Sequence, residues 1–126
     1  MLFPTIEEVL DIHEQSIEEF GGRHGLRDRA ALESALKAAE NRAYYENASL
    51  TTCAATYAYH ISQAHAFIDG NKRIAAAVAE LFLVINDATL ELTNDEIVEL
   101  FLGIAAGRIA RNEVEDVFAR RVTVAD

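Results

Sequence analysis

The nine residues His65-Ala66-Phe67-Ile68-Asp69-Gly70-Asn71-Lys72-Arg73 place an imidazole, a carboxylate, an amide and two cations in one short stretch. An apolar, alanine-rich segment follows at once, so the stretch reads as the N-terminus of a helix. A helix start leaves backbone N–H groups unpaired and carries roughly half a positive charge, which suits an anion. Lys72 and Arg73 add to that charge. Gly70 lets a backbone N–H approach an anion with no Cβ in the way, and Asn71 brings a further amide donor. Asp69 would sit awkwardly beside an anion unless a divalent cation bridged the two, as Mg²⁺ does in nucleotide sites. His65, next to such an anion, fits a general base. Phe67 has no chemistry to offer and should anchor the loop to the core.

A bland reading competes with this one. Asp-Gly-Asn is a common turn and cap combination, two cations can simply be solvated, and a lone histidine is more often structural than catalytic. One detail favours function: Lys72 and Arg73 in a first helical turn oppose the helix dipole, where acidic residues are preferred. Local rules broken without visible compensation tend to mark functional sites.

Other candidates carry less. His13-Glu14 begins like a zinc-protease helix, but Ile17 stands in place of the second histidine, so His13 reads as a hydrogen-bonded residue at the edge of an apolar stripe. His60 and His65 are too far apart around a helix to share a face. Ser16, Ser34, Ser49 and Ser62 lack a nucleophile-elbow context. The loop GGRHGLRD is glycine-rich, yet no Gly-Lys-Ser/Thr follows, so it is not a Walker-type phosphate loop, and His24 within it reads as a solvated residue.

The elements that must hold the motif are helical. Thr5-Ile6-Glu7-Glu8 has capping-box form, and Ile6, Val9, Leu10, His13, Ile17 and Phe20 make one stripe ending at Gly21-Gly22. Asp28 caps a second helix with Leu32, Ala35 and Leu36 inward. Residues 39–50, AENRAYYENASL, lose the periodicity and read as a connection or short hairpin. Thr51 or Thr52 caps a third helix with Ala54, Tyr57, Ala58, Ile61 and Ala64 inward. The fourth, Asn71 to Ile85, is apolar nearly all round and belongs at the middle of a bundle. A short extended piece is expected at Thr89–Leu92. Thr93-Asn94-Asp95-Glu96 is a second capping box, Gly107 ends that helix, and Asn112 is placed to cap the last. The expectation is one all-α domain over residues 1–126, about six helices around a central apolar one.

Composition agrees and sets bounds. The chain has 126 residues, 51% of them hydrophobic, enough for a core without metal or disulfide staples. Its 21 acidic against 11 basic residues give a net charge of −10, which repels phosphate backbones and anionic membranes. The single cysteine, Cys53, excludes an internal disulfide, fits a reducing cytoplasm and reads as a small buried hydrophobe. No secretory signal is evident, and the longest apolar stretch is too short to span a bilayer. A cytoplasmic protein is expected, with no direct nucleic-acid or membrane partner.

The stretch HAFIDGNKR resembles the signature of the Fic/Doc family, and within it the death-on-curing toxins. The likeness extends through IHEQSIEEFGGRHGLRDRAALESAL before the motif and through LFLVIND and GIAAGRI after it. The resemblance implies a compact all-α fold with the motif in the loop and first turn of the central helix. It implies catalytic roles for His65, Lys72 and Arg73, with His65 as the base toward a target hydroxyl. Asp69 would be the Mg²⁺ ligand, and Gly70, Asn71, Lys72 and Arg73 would hold nucleotide phosphates. It further implies a hairpin flap that aligns the target chain, for which AENRAYYENASL is the candidate. The implied activity is transfer of the γ-phosphoryl group of ATP to a threonine of elongation factor Tu, and the implied partner is a small cognate antitoxin. An adenylyltransferase of the broader Fic type and a non-catalytic binding module are the alternatives. In the adenylylating members a second glycine follows the asparagine and a second arginine follows the first by three residues. Here those places hold Lys72 and Ala76. Ala66 and Ile74 also depart from frequent family choices, proline and threonine.

Overall fold

The computed structural model describes residues 1–125. Six helices make up the architecture: α1 (Ile6–Phe20), α2 (Arg29–Tyr45), α3 (Leu50–Ala64), α4 (Asn71–Ile85), α5 (Asn94–Ala105) and α6 (Arg111–Arg121). Two three-residue strands, β1 (Ala88–Leu90) and β2 (Val122–Val124), form a small antiparallel pair with Thr89 opposite Thr123. The fold is all-α, as the sequence patterns require.

The two capping boxes form as their spacing predicts. Thr5 Oγ1 accepts from the Glu8 N–H at 3.1 Å while Glu8 accepts from the Thr5 N–H at 3.0 Å. Thr93 and Glu96 repeat the exchange at the start of α5. Each exchange satisfies two of the N–H groups that a helix start leaves orphaned. Val9, His13 and Ile17, spaced by four, then bury one face of α1.

The centre belongs to two neighbouring helices. α4 is buried along Ile74, Ala75, Val78, Ala79, Phe82 and Leu83 and packs on α1, α3, α5 and β1. α3 packs on α2, α4, α5 and α6. The Tyr57 hydroxyl is buried without a partner among the described residues, while Thr56 and Ser62 each bond back to a carbonyl four residues earlier at 2.7 Å. That local bonding lets a polar side chain sit inside without an unmet partner. Cys53 is buried on α3 and its thiol is pushed up by burial, consistent with an inert, packing cysteine.

Three expectations need correction. The segment 39–50 is no hairpin: α2 continues through Tyr45 and only a short turn separates it from α3. The periodicity failed to show this because the inward position after Ala39 is Arg42. Its guanidinium, only 16% exposed, pairs with Glu115 of α6 and donates to Thr56 Oγ1 at 3.0 Å. An arginine that spends its charge in a helix seam looks, in sequence, like a solvent residue. Tyr44 and Tyr45, at 84% and 78% exposure, lie on the outer end of α2 rather than on a strand edge.

The cap of α3 is Ser49, not Thr51 or Thr52. Its Oγ accepts from the Thr52 N–H at 3.2 Å, and Leu50 packs against the core as the first helical residue. The last helix starts at Arg111, so Asn112 lies inside it. Ile109 fits against Gly103, where a Cβ would come within 2.4 Å of Ile109 Cδ1. The N–H groups of Arg108 and Ile109 bond to the Gly103 carbonyl. That tight turn fixes where α6 begins, and Glu113 returns to cap the Ala110 N–H at 3.0 Å.

The α5–α6 junction yields a pH prediction. Glu96 is gripped by both terminal nitrogens of Arg121, at 2.8 and 2.9 Å. This pairing first, and the Thr93 N–H second, hold its carboxyl down to about 2. The folded value lies below the unfolded one of 4.5, so the pair contributes fully above that pH and its contribution fades as pH falls toward 2. In acid titrations of stability, Glu96→Gln should therefore flatten part of the loss between pH 4.5 and 2. The same slope in both proteins would remove Glu96 from the acid response.

Candidate active site

The motif lies where α3 ends and α4 begins, and local chemistry explains its shape. α3 stops at His65, which takes a left-handed conformation, φ 46° and ψ 43°. A non-glycine residue is seldom found there and such positions cluster at functional sites. The imidazole is exposed, and among the described residues it makes no hydrogen bond; only the His65 carbonyl is engaged, by Arg27 Nη2 at 2.6 Å.

The glycine-rich loop between α1 and α2 lies alongside the motif and holds it in place. The N–H groups of Arg27 and Asp28 both bond to the Ala66 carbonyl, the Ile68 N–H bonds to the Gly25 carbonyl, and Leu26 and Phe67 form an antiparallel bridge. Phe67 is 1% exposed. Its ring stacks on His13 at 3.8 Å between centroids, and its backbone is clamped by Asn71, whose Oδ1 accepts from the Phe67 N–H at 3.0 Å and whose Nδ2 donates to the Phe67 carbonyl at 2.9 Å.

Asp69 points its carboxylate at backbone. Oδ2 accepts from the Arg23 N–H at 3.0 Å and Oδ1 from the Gly70 N–H at 2.8 Å. These two bonds, Arg23 first, hold its carboxyl below the usual carboxylate range. Gly22 makes the approach feasible, since a Cβ there would stand 2.8 Å from Oδ2.

α4 opens at Gly70, with φ 76° and no side-chain cap, and its first helical bond runs from the Ile74 N–H to the Gly70 carbonyl. The N–H groups of Asn71, Lys72 and Arg73 thus have no helical partner. Every other helix here has a side chain capping its start or returning to it. Lys72 is exposed and, among the described residues, belongs to no ion pair. Arg73 is also exposed. It donates to the Gly21 carbonyl at 3.1 Å, and its guanidinium lies 5.6 Å from the Phe20 ring centroid. α1 has no basic residue in its own last turn, so Arg73 supplies the cation that this helix end favours.

One turn therefore gathers an exposed imidazole, an ionised carboxylate, an uncapped helix start and two cations. That set can bind an anion and take a proton from a hydroxyl beside it. Residues 3–83 match the Fic/DOC family. The chain is also similar to the protein kinase doc of Escherichia phage P1, 33% identical over 115 residues that cover 90% of each protein. The chain belongs to the Fic/DOC family. The matched residues include His65–Arg73, which run into the uncapped start of α4.

The six sequence-derived site residues of this Fic/DOC chain lie in the loop between α3 and α4, as His65, Asp69 and Gly70, and in the first turn of α4, as Asn71, Lys72 and Arg73. Their side chains are not equally free. The Asn71 amide is committed to Phe67, which leaves its backbone N–H and one amide hydrogen. His13 is the hydrogen-bonded residue on the apolar stripe that the sequence suggests, but its partner in the motif, and the contributions of Gly22, Arg23 and Arg27 from outside it, had no sequence reading. The signal for His13 was present, a polar residue midway between Val9 and Ile17 on a buried stripe.

Among the described residues, no cluster of three or more His, Cys, Asp or Glu could hold a metal. A cation at this loop would take Asp69 as its sole side-chain carboxylate, with phosphate and water oxygens completing the shell. Mg²⁺ is commonly held in that way. Asp69 fits, because it is ionised and each oxygen accepts only one N–H.

Proposed function

We propose that the protein is a Doc-type toxin, a Mg²⁺- and ATP-dependent kinase that phosphorylates a threonine of elongation factor Tu and so blocks translation. The observation that carries this reading is the exposed imidazole of His65, on a left-handed backbone, next to an uncapped, cation-flanked helix start. The likeness to a protein named as a kinase supports it.

In this reading the nucleotide phosphates lie against the N–H groups that open α4. Gly70, with no Cβ, leaves room for the phosphate, Asn71 contributes a backbone donor, and Lys72 and Arg73 neutralise charge. Arg73 would exchange the α1 carbonyl for phosphate. Asp69 would hold the Mg²⁺, which supplies charge neutralisation on the phosphate oxygens. His65 accepts the proton of the threonine hydroxyl as that oxygen bonds to the γ-phosphorus. The bond from the γ-phosphorus to the β–γ bridging oxygen breaks, and ADP leaves. Phosphoryl transfer depends mainly on such positioning and charge stabilisation.

Lys72 and Ala76 favour γ-transfer over AMP transfer. A long charged side chain stands where a small residue would give the nucleotide room, and alanine offers no grip on the phosphate tail. A small antitoxin held in complex, a cytoplasmic location and a single domain complete the proposal. No described helix is long and apolar enough to cross a membrane. The test uses ATP labelled at the α or the γ position, with cell extract as acceptor. Protein labelling from the γ position alone supports the kinase; labelling from the α position would assign an adenylyltransferase, and none from either a binding module.

Asp69→Ala is expected to abolish Mg²⁺-dependent ATP binding in calorimetry. A modest fall in melting temperature should accompany it, because the Arg23 N–H loses its partner. Equal ATP affinity of the two proteins in Mg²⁺ would remove Asp69 from metal binding.

A further inference from the structure

We propose that His13, outside the motif, is a positioning residue that sets the direction of the Asp69–Gly70 peptide and so holds the Gly70 N–H on the Asp69 carboxylate beside the start of α4. The role of that helix start rests on the nucleotide reading above; the peptide's orientation does not.

His13 is only 4% exposed and lies in the middle of α1. Its Nε2 is 2.7 Å from the carbonyl oxygen of Asp69, 56 residues further on. A carbonyl only accepts, so Nε2 carries the proton and donates it. The ring is fixed by its near-parallel stack on Phe67, 15° between planes. The donor direction is therefore set by packing.

A trans peptide is planar, so its carbonyl and its N–H point in opposite directions. Holding the Asp69 carbonyl toward α1 turns the Gly70 N–H away from α1, toward the Asp69 carboxylate at 2.8 Å. This N–H immediately precedes the unpartnered N–H groups of Asn71, Lys72 and Arg73. Gly70, at φ 76°, lacks the Cβ that would otherwise restrict the peptide. A fixed donor on the neighbouring helix takes over that restriction. Space is matched as well, since a Cβ at Gly70 would lie 3.5 Å from His13 Nε2.

Two variants separate the donor from the ring. His13→Phe keeps a ring against Phe67 and removes the donor; His13→Gln keeps an N–H at similar reach and removes the ring. In ATP-free protein, the Gly70 amide should exchange faster and shift in His13→Phe, and stay near wild type in His13→Gln. ATP affinity in Mg²⁺ should fall roughly tenfold in His13→Phe, the scale of one buried hydrogen bond, and recover in His13→Gln. A Gly70 amide unchanged in His13→Phe would overturn the proposal. So would equal damage in both variants with matching losses of melting temperature, since that marks a purely structural residue. If wild-type protein binds no ATP, the nucleotide reading fails, while the Gly70 amide still decides the role of His13.

Discussion

His65→Ala is expected to slow phosphoryl transfer by roughly 10²- to 10⁴-fold, the usual worth of a general base, with the melting temperature nearly unchanged. The imidazole is exposed and, among the described residues, unbonded, so the fold loses no side-chain contact with it. Alanine takes the left-handed backbone at φ 46° less readily than histidine, so a small fall in melting temperature is expected from the backbone alone. His65→Asn provides a control, because asparagine tolerates that conformation well and cannot act as the base. Both variants should be inactive, and cells expressing them should keep growing. Rates from γ-labelled ATP, set beside thermal melts, check this. Activity falling only in proportion to folded protein would make His65 a structural cap.

The largest stability effect should come from Glu115→Ala. Arg42 and Glu115 are 16% and 22% exposed and join α2 to α6 across α3. Glu115, through its hydrogen bond first, raises the Arg42 pKa, and the guanidinium stays charged even without that partner, because arginine does not lose its proton in proteins. Leaving one member of a buried pair unpaired costs about 3–5 kcal/mol. Thr56 Oγ1 at 3.0 Å and the more exposed Glu46 carboxylate at 3.4 Å remain as acceptors for Arg42. The pair is also only partly buried, which brings the expectation below that range, to about 1.5–3 kcal/mol, the worth of a hydrogen bond to a charged group. Replacing both residues with methionine should recover much of the loss, because the burial of an unmatched charge disappears. Urea unfolding of the two proteins measures it. A cost well under 1 kcal/mol for the single change would show that the pair behaves like a surface ion pair.

What the sequence revealed was what neighbouring residues decide. Thr5 with Glu8 and Thr93 with Glu96 cap through a three-residue spacing, so their helices start where the residues say. The apolar girth of α4 and the dense polar chemistry before it likewise lie in one stretch. The rest depends on distant partners. Arg42 is an inward residue only because Glu115 waits 73 positions later, and without that knowledge α2 seems to end early. His13 gains its meaning from a carbonyl 56 positions away. β2 forms because Val122–Val124 meets β1; its three β-branched residues favour extended backbone, but so short a run does not mark a strand without its partner. Asn71 shows the same limit inside the motif itself. Its amide suggests a donor to ligand, whereas its geometry turns back to the Phe67 peptide.

The expected flap has no counterpart in residues 39–50, so a target chain would need another guide to the His65 loop. The proposed anion site needs none, since the start of α4 would form it. Whether that start serves γ-phosphoryl transfer is decided most directly on the acceptor itself. Purified elongation factor Tu is incubated with the protein and Mg-ATP, and its mass and modified residue are determined. The account predicts a gain of one phosphoryl group on a single threonine, absent with His65→Ala. A gain of one adenylyl group, or an unmodified factor beside an enzyme that binds ATP, would contradict it.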